Sequence, residues 1–234
     1  MSAAILALRL APAFPWLIPA CGLLAIADTS GWIDVPVVGG AFKPLTTLLI
    51  FLHAMHLPST DARRRLWVLA GLSLSFLGEC AMALPGGFLP GACLFILAQC
   101  TYLAAMTGGT LRLARPGPMH LVHAVVVAWA LAMWSVRPLA IFLPMVLFLS
   151  LLGLVSAQAD TWWWRARGTP QAATARSAAL GALLWLVADL LWTYSQFVQW
   201  IPETFAIVLT LYWLAQWQLV SLIGARSGTP TRSG

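Results

Sequence analysis

"GLSLSFLGECAMALPGG", residues 71–87, is an apolar run with one acid, Glu79, in its interior. Whether it is a surface helix or a membrane span decides the fold. The chain around it settles the choice: 61% of its residues are hydrophobic, 9% are charged, and the mean hydropathy is +0.86. A soluble domain has roughly a quarter of its residues charged. Comparable apolar stretches fill most of the 234 residues, at or near the ~20-residue length of a membrane-spanning helix. They run over about 4–27, 41–57, 66–84, 87–107, 119–136, 138–158, 178–200 and 203–224. The expectation is an all-α polytopic membrane protein of about eight spans. The second run is short and Pro138 barely separates the fifth from the sixth, so seven spans stay open. A membrane barrel would alternate apolar and polar residues, and these runs do not.

The sequence pI near 9.8 would suggest nucleic acid in a soluble protein. Here the cations sort by loop instead. With eight spans, Arg63, Arg64, Arg65, Arg112, Arg115, Arg165, Arg167, Arg176, Arg226 and Arg232 share one side, while Lys43 and Arg137 hold the other. The positive-inside rule then puts both termini in the cytoplasm of what reads as a bacterial inner (plasma) membrane protein. No nucleic-acid partner is expected. The first span reads as uncleaved, because no basic cluster precedes it. Residues 1–226 read as a single transmembrane domain and 227–234 as a short polar tail. Cys21, Cys80, Cys93 and Cys100 lie inside apolar runs without metal-type spacing and read as small core residues.

An internal repeat organises the polar residues. "GLSLSFLGE" (71–79) parallels "GALLWLVAD" (181–189), with a glycine eight residues before the acid in each. "LFILAQ" (94–99) parallels "LYWLAQ" (211–216), and "KPL" (43–45) parallels "RPL" (137–139). Three pairs in the same order suggest two parallel four-helix halves, about 1–107 and 119–226. Each half then holds a cation, an acid and a glutamine: Lys43, Glu79 and Gln99, then Arg137, Asp189 and Gln216. The acids and cations favour the non-cytoplasmic half, which points to a single polar cavity.

An ionisable group at span depth costs roughly 2.5–3.5 kcal/mol on insertion scales. Glu79 and Asp189 are therefore either halves of salt bridges that lock helices or members of a functional pocket, where two acids in different surroundings divide acid and base work. Lys43 before Pro44 reads as a cap of the second span. A cation at a helix N-terminus opposes the dipole, which hints at an acidic or phosphate partner; the plain alternative is a snorkelling lysine. Gln99 and Gln216 are interhelical hydrogen-bond partners or pocket groups. Tyr102, Tyr194 and Tyr212 are interfacial aromatics or pocket donors. The thirteen tryptophans fit an interfacial belt. His53/His56 and His120/His123 are spaced i,i+3, but zinc usually needs a third protein ligand, so no metal site is expected. Ser73 and Ser75 precede Glu79 without a nucleophile elbow. No phosphate-binding loop or dinucleotide fingerprint is present, and no cofactor is expected.

At these residues the chain resembles the YhhN-like family of multi-pass membrane proteins, which includes the lysoplasmalogenases. The resemblance rests on Phe42-Lys43-Pro44-Leu45-Thr46, Leu77-Gly78-Glu79, the Ala-Gln helix around Gln99 and Tyr102, Gly181 through Asp189, and Tyr212 through Gln216. It spans about residues 42–216. Two positions depart from the family pattern: Glu79 stands where the family usually has aspartate, and Ala188 where it often has serine. The resemblance implies hydrolysis of the vinyl-ether bond of a lysophospholipid, the lysoplasmalogen, to a fatty aldehyde and a glycerophospho-base. On that reaction Glu79 and Asp189 are the candidate catalytic acids, and Lys43, Gln99, Tyr102, Tyr194, Tyr212 and Gln216 the candidate substrate-binding residues. A transporter or lipid-binding protein, or a purely structural one, would use the same intramembrane charges differently. Oligomeric state is left open.

Overall fold

The computed structural model describes residues 11–33, 39–109, 113–134 and 139–224. Arg112, Arg137, Arg226, Arg232 and the tail from 227 lie outside the described residues, as does the opening of the first expected span. Among the described residues there are eight α-helices and no strand. They are α1 (Phe14–Thr29), α2 (Gly39–His56), α3 (Ala62–Met82), α4 (Phe88–Met106), α5 (Pro118–Trp134), α6 (Leu139–Ala166), α7 (Ala172–Phe197) and α8 (Thr204–Val220). Short 3-10 turns sit at Ala11–Ala13 and Ser221–Gly224.

Five of these helices, α3, α4, α6, α7 and α8 with its 3-10 extension, are long and apolar enough to cross a membrane. Their outer faces carry Leu66, Leu147, Leu180, Val187 and Leu214, all exposed in the bundle. Water would penalise such a surface, whereas lipid tails match it. Consecutive helices pack on one another except α4 and α5; α4 packs instead on α6, and α8 also on α1 and α2.

Two glycines, at matching places in the sequence repeat, let neighbouring helices approach closely. A Cβ at Gly71 on α3 would lie 2.8 Å from both Thr101 Oγ1 and the Tyr102 ring on α4. A Cβ at Gly181 on α7 would lie 2.9 Å from the Ala215 carbonyl oxygen and 3.0 Å from Gln218 on α8. Both positions need hydrogen where any other residue has a methyl or more.

Several expectations are corrected. Lys43 does not cap α2, which starts at Gly39 and runs through Pro44. Pro44 forfeits only its N–H bond to the Gly40 carbonyl, close to the helix start, a local loss that the helix absorbs. Helix α6 continues past the expected end at 158 to Ala166, because the first residue to break it is Gly168. Helix α7 likewise opens at Ala172, before the expected 178, through an alanine-rich turn. Of the cysteines only Cys21 is buried; Cys93 and Cys100 face outward. An apolar membrane exterior suits a small apolar side chain as well as the core does.

Arg64 is more than a topology marker. It is 8% exposed, its Nε donates to the Ala105 carbonyl at 3.1 Å, and its guanidinium lies over the Trp162 ring. Its own helix is capped by Asp61, whose carboxylate accepts from the Arg64 backbone N–H at 3.0 Å.

Candidate functional site

The helices bring the intramembrane charges to one end of the bundle. There α2, α4, α6 and α8 begin, and α3 and α7 finish. Lys43 is in the second turn of α2, Glu79 in the last turn of α3, and Asp189 about two turns from the end of α7. All three line one cavity of about 100 Å³, and Tyr212 of α8 closes its polar side. That is room for a few waters at roughly 30 Å³ each. The remaining wall is apolar: Met82, Phe88, Ala92 and Phe95 from α3 and α4, Met145 and Phe148 from α6, Trp185 and Trp192 from α7, and Phe205, Val208 and Leu209 from α8. Among the described residues neither α1 nor α5 contributes to it.

The two acids have different surroundings. Glu79 is 9% exposed, and its Oε1 accepts from the Thr47 hydroxyl at 2.6 Å, a contact between α2 and α3. Its Oε2 is buried without a bonded partner. The Tyr212 hydroxyl lies beside this carboxyl and beside the Gln216 amide, without full hydrogen-bonding geometry to either. Lys43 makes no direct ion pair but acts on Glu79 electrostatically across the cavity. Asp189 is partly buried, and its Oδ2 has no bonded partner. Its polar neighbour is the Trp185 indole, one turn earlier on α7.

Beneath Tyr212 a buried polar chain links three helices. Tyr102 donates to Gln216 Oε1 at 2.5 Å, and Gln216 Nε2 donates to Ser75 Oγ at 3.1 Å. Tyr102 and Gln216 thus support the cavity floor without lining it. Gln99 is fully buried, and neither its Oε1 nor its Nε2 has a partner among the described residues. Tyr194 lies apart from the cavity, its hydroxyl 3.4 Å from Gln199 Oε1 on the exposed side of α7. Its place among the expected substrate contacts is therefore not supported by position.

The residues that sequence reasoning passed over are Thr47, Trp185 and Trp192. A threonine in an apolar helix ordinarily bonds back to its own backbone, as Thr46 does to the Phe42 carbonyl. Nothing local marks Thr47 as reaching another helix. The belt interpretation of the tryptophans fits exposed Trp16, Trp32 and Trp200, but Trp185 is 1% exposed. The histidine pairs are used in packing. His53 stacks on Trp217 at 4.9 Å, and His123 Nε2 is 3.4 Å from Asp160 Oδ2. Among the described residues no three His, Cys, Asp or Glu side chains converge as a metal site would require.

The YhhN family model matches residues 40–223. The match covers most of the chain, from the turn before Lys43 to the end of the last helix, and the protein belongs to the YhhN family. No curated protein and no solved structure matches it.

Proposed function

We propose that this protein is a membrane-embedded hydrolase that cleaves the vinyl-ether bond of a lysoplasmalogen. The observation that carries the proposal is the convergence of Glu79, Asp189 and Lys43, from three different helices, on one otherwise apolar cavity. A salt bridge that merely locked two helices would pair acid and base directly and need no cavity. Here no such pair forms, and both acids keep an unpartnered oxygen.

The chemistry suits the lining. A proton passes from a carboxylic acid to the outer carbon of the enol ether, and the C=C pair becomes a C–H bond. The ether oxygen then carries the positive charge as an oxocarbenium ion. Water adds to the charged carbon and returns a proton to the carboxylate. The resulting hemiacetal breaks its C–O bond to give the aldehyde and the glycerol hydroxyl. Water is the only co-reactant. An ionised second carboxyl stabilises the cation, as paired carboxylates do around the similar charge in glycoside hydrolysis. Lys43 holds the phosphate as a point charge, and the apolar wall receives the single hydrocarbon chain.

Family membership supports the reading, as do the register and distribution of the polar groups. The same proposal takes the chain as one transmembrane domain of eight spans in two parallel halves. Gly71 meets residues two and three beyond Gln99, and Gly181 meets residues two and three beyond Gln216, as a duplication would require. The arginine-rich loops orient both termini toward the cytoplasm of the inner membrane, with the cavity near the opposite face.

The test is to incubate purified protein with a lysoplasmalogen, its saturated alkyl-ether analogue and a lyso-acyl lipid. Aldehyde from the vinyl ether alone is expected. Fatty acid from the acyl lipid would make it a lysophospholipase instead. No product from any of the three, in folded protein, would favour a transporter or structural role.

A further inference from the structure

The two acids in the cavity are not interchangeable, and the difference comes from a residue that no motif singles out. Thr47 is fully buried, one turn beyond Lys43 on the same face of α2. Its single hydroxyl proton is committed to Glu79 Oε1 at 2.6 Å. With Lys43 acting from the same helix and the Tyr212 hydroxyl beside it, the Glu79 carboxyl is approached by two hydroxyls and one ammonium. Asp189 has one indole as its polar neighbour and no hydroxyl or cation bonded to it. The other titratable groups lining the cavity, among the described residues, are Lys43 and Tyr212.

In a poorly hydrated site, negative charge settles where donors and cations are already aimed. We propose that Thr47 is a positioning residue that holds Glu79 as the carboxylate of the pair and thereby leaves Asp189 as the protonated acid. This rests on the hydrolase reading and assigns roles within it. Asp189 delivers its proton to the vinyl carbon and recovers one from the attacking water. Glu79 stays anionic throughout, with Oε1 pinned by Thr47 and Oε2 free to face the oxocarbenium ion and orient the water. The Tyr212 hydroxyl stands beside the same carboxyl and is placed to share the water with it.

Two measurements test the assignment. Infrared difference spectroscopy on the whole protein in lipid reads the carbonyl stretch of protonated carboxyl groups. The band is expected to vanish in Asp189→Asn and persist in Glu79→Gln. A band lost in Glu79→Gln instead, or no band that depends on either residue, overturns the proposal. Kinetics supply the role of Thr47. Thr47→Val should lower kcat roughly tenfold with little change in KM, the effect of losing a hydrogen bond to a charged group. Thr47→Ser should restore kcat to within roughly threefold of the parent. Unchanged kcat in Thr47→Val, or a rise in KM alone, overturns it. Should the valine variant not fold, the infrared comparison of the parent protein with the two acid variants still decides the protonation. A parent protein that releases no aldehyde would sink the hydrolase reading while leaving the infrared result intact.

Discussion

Glu79 and Asp189 hold matching places in the two halves of the sequence, each eight residues after a glycine, yet their settings differ. Glu79 has the Thr47 hydroxyl, the nearby Tyr212 hydroxyl and the field of Lys43. Asp189 has an indole. The glutamines diverge the same way: Gln216 joins Tyr102 and Ser75 in a bonded chain, while Gln99 is buried with both amide atoms unpartnered. Similar helices can thus carry two different electrostatic environments, and acid–base work on one substrate needs such a difference. A symmetric pair of identical acids would have no physical reason to divide the roles.

The largest expected effect comes from removing either member of that comparison. Glu79→Gln and Asp189→Asn should each lower aldehyde release by at least roughly 10²-fold if both carboxyls take part in acid–base chemistry. Near-parent turnover in either folded variant would remove that residue from the mechanism. Next is the cation that belongs to one side only. Lys43→Met should lower kcat/KM for a phosphate-bearing substrate by roughly tenfold or more, the loss of one charge-assisted contact. The same substitution should matter little for a substrate analogue lacking the phosphate, and equal losses on both substrates would break the assignment.

Smaller effects test the scaffold. Gly71→Ala and Gly181→Ala should each destabilise the bundle by about 1–3 kcal/mol, the usual range for overpacking. Gly181 should cost more, because its nearest neighbour is a backbone carbonyl that cannot rotate away, whereas the neighbours of Gly71 are side chains. Unfolding midpoints in detergent would rank them. The smallest contrast is between the glutamines. Gln216→Leu should cost about 1–3 kcal/mol by stranding the Tyr102 and Ser75 hydroxyls, while Gln99→Leu should be neutral or stabilising. A large loss in Gln99→Leu would mean that its amide has a partner in the membrane, such as water or lipid.

Much of this molecule was legible in its sequence. Among the described residues eight helices answer to the eight apolar runs, with ends moved where a break was misjudged, as at Pro44, which α2 runs straight through, and at Gly168, where α6 at last stops. Glu79, Asp189 and Lys43 stood out because charge in an apolar span is expensive and therefore rare. Tyr194 was equally visible and lies elsewhere, since a tyrosine carries no such cost and its position in sequence says little about its direction.

What the sequence by itself determined was therefore the class of structure and the identity of the charged groups. Both are local properties: span length follows from consecutive apolar residues, and an ionisable side chain is conspicuous wherever it occurs. Only the tertiary structure decided which side of each helix faces its neighbours, and with it the contact of Thr47 with Glu79, the inward turn of Trp185 and Trp192, and the unequal fates of Gln99 and Gln216. In water an amphipathic stripe would have marked those faces. In a bilayer the lipid-facing and protein-facing sides are both apolar, as exposed Cys93 and buried Cys21 illustrate. The pattern that distinguishes inside from outside is absent from the sequence because the surrounding solvent does not demand it.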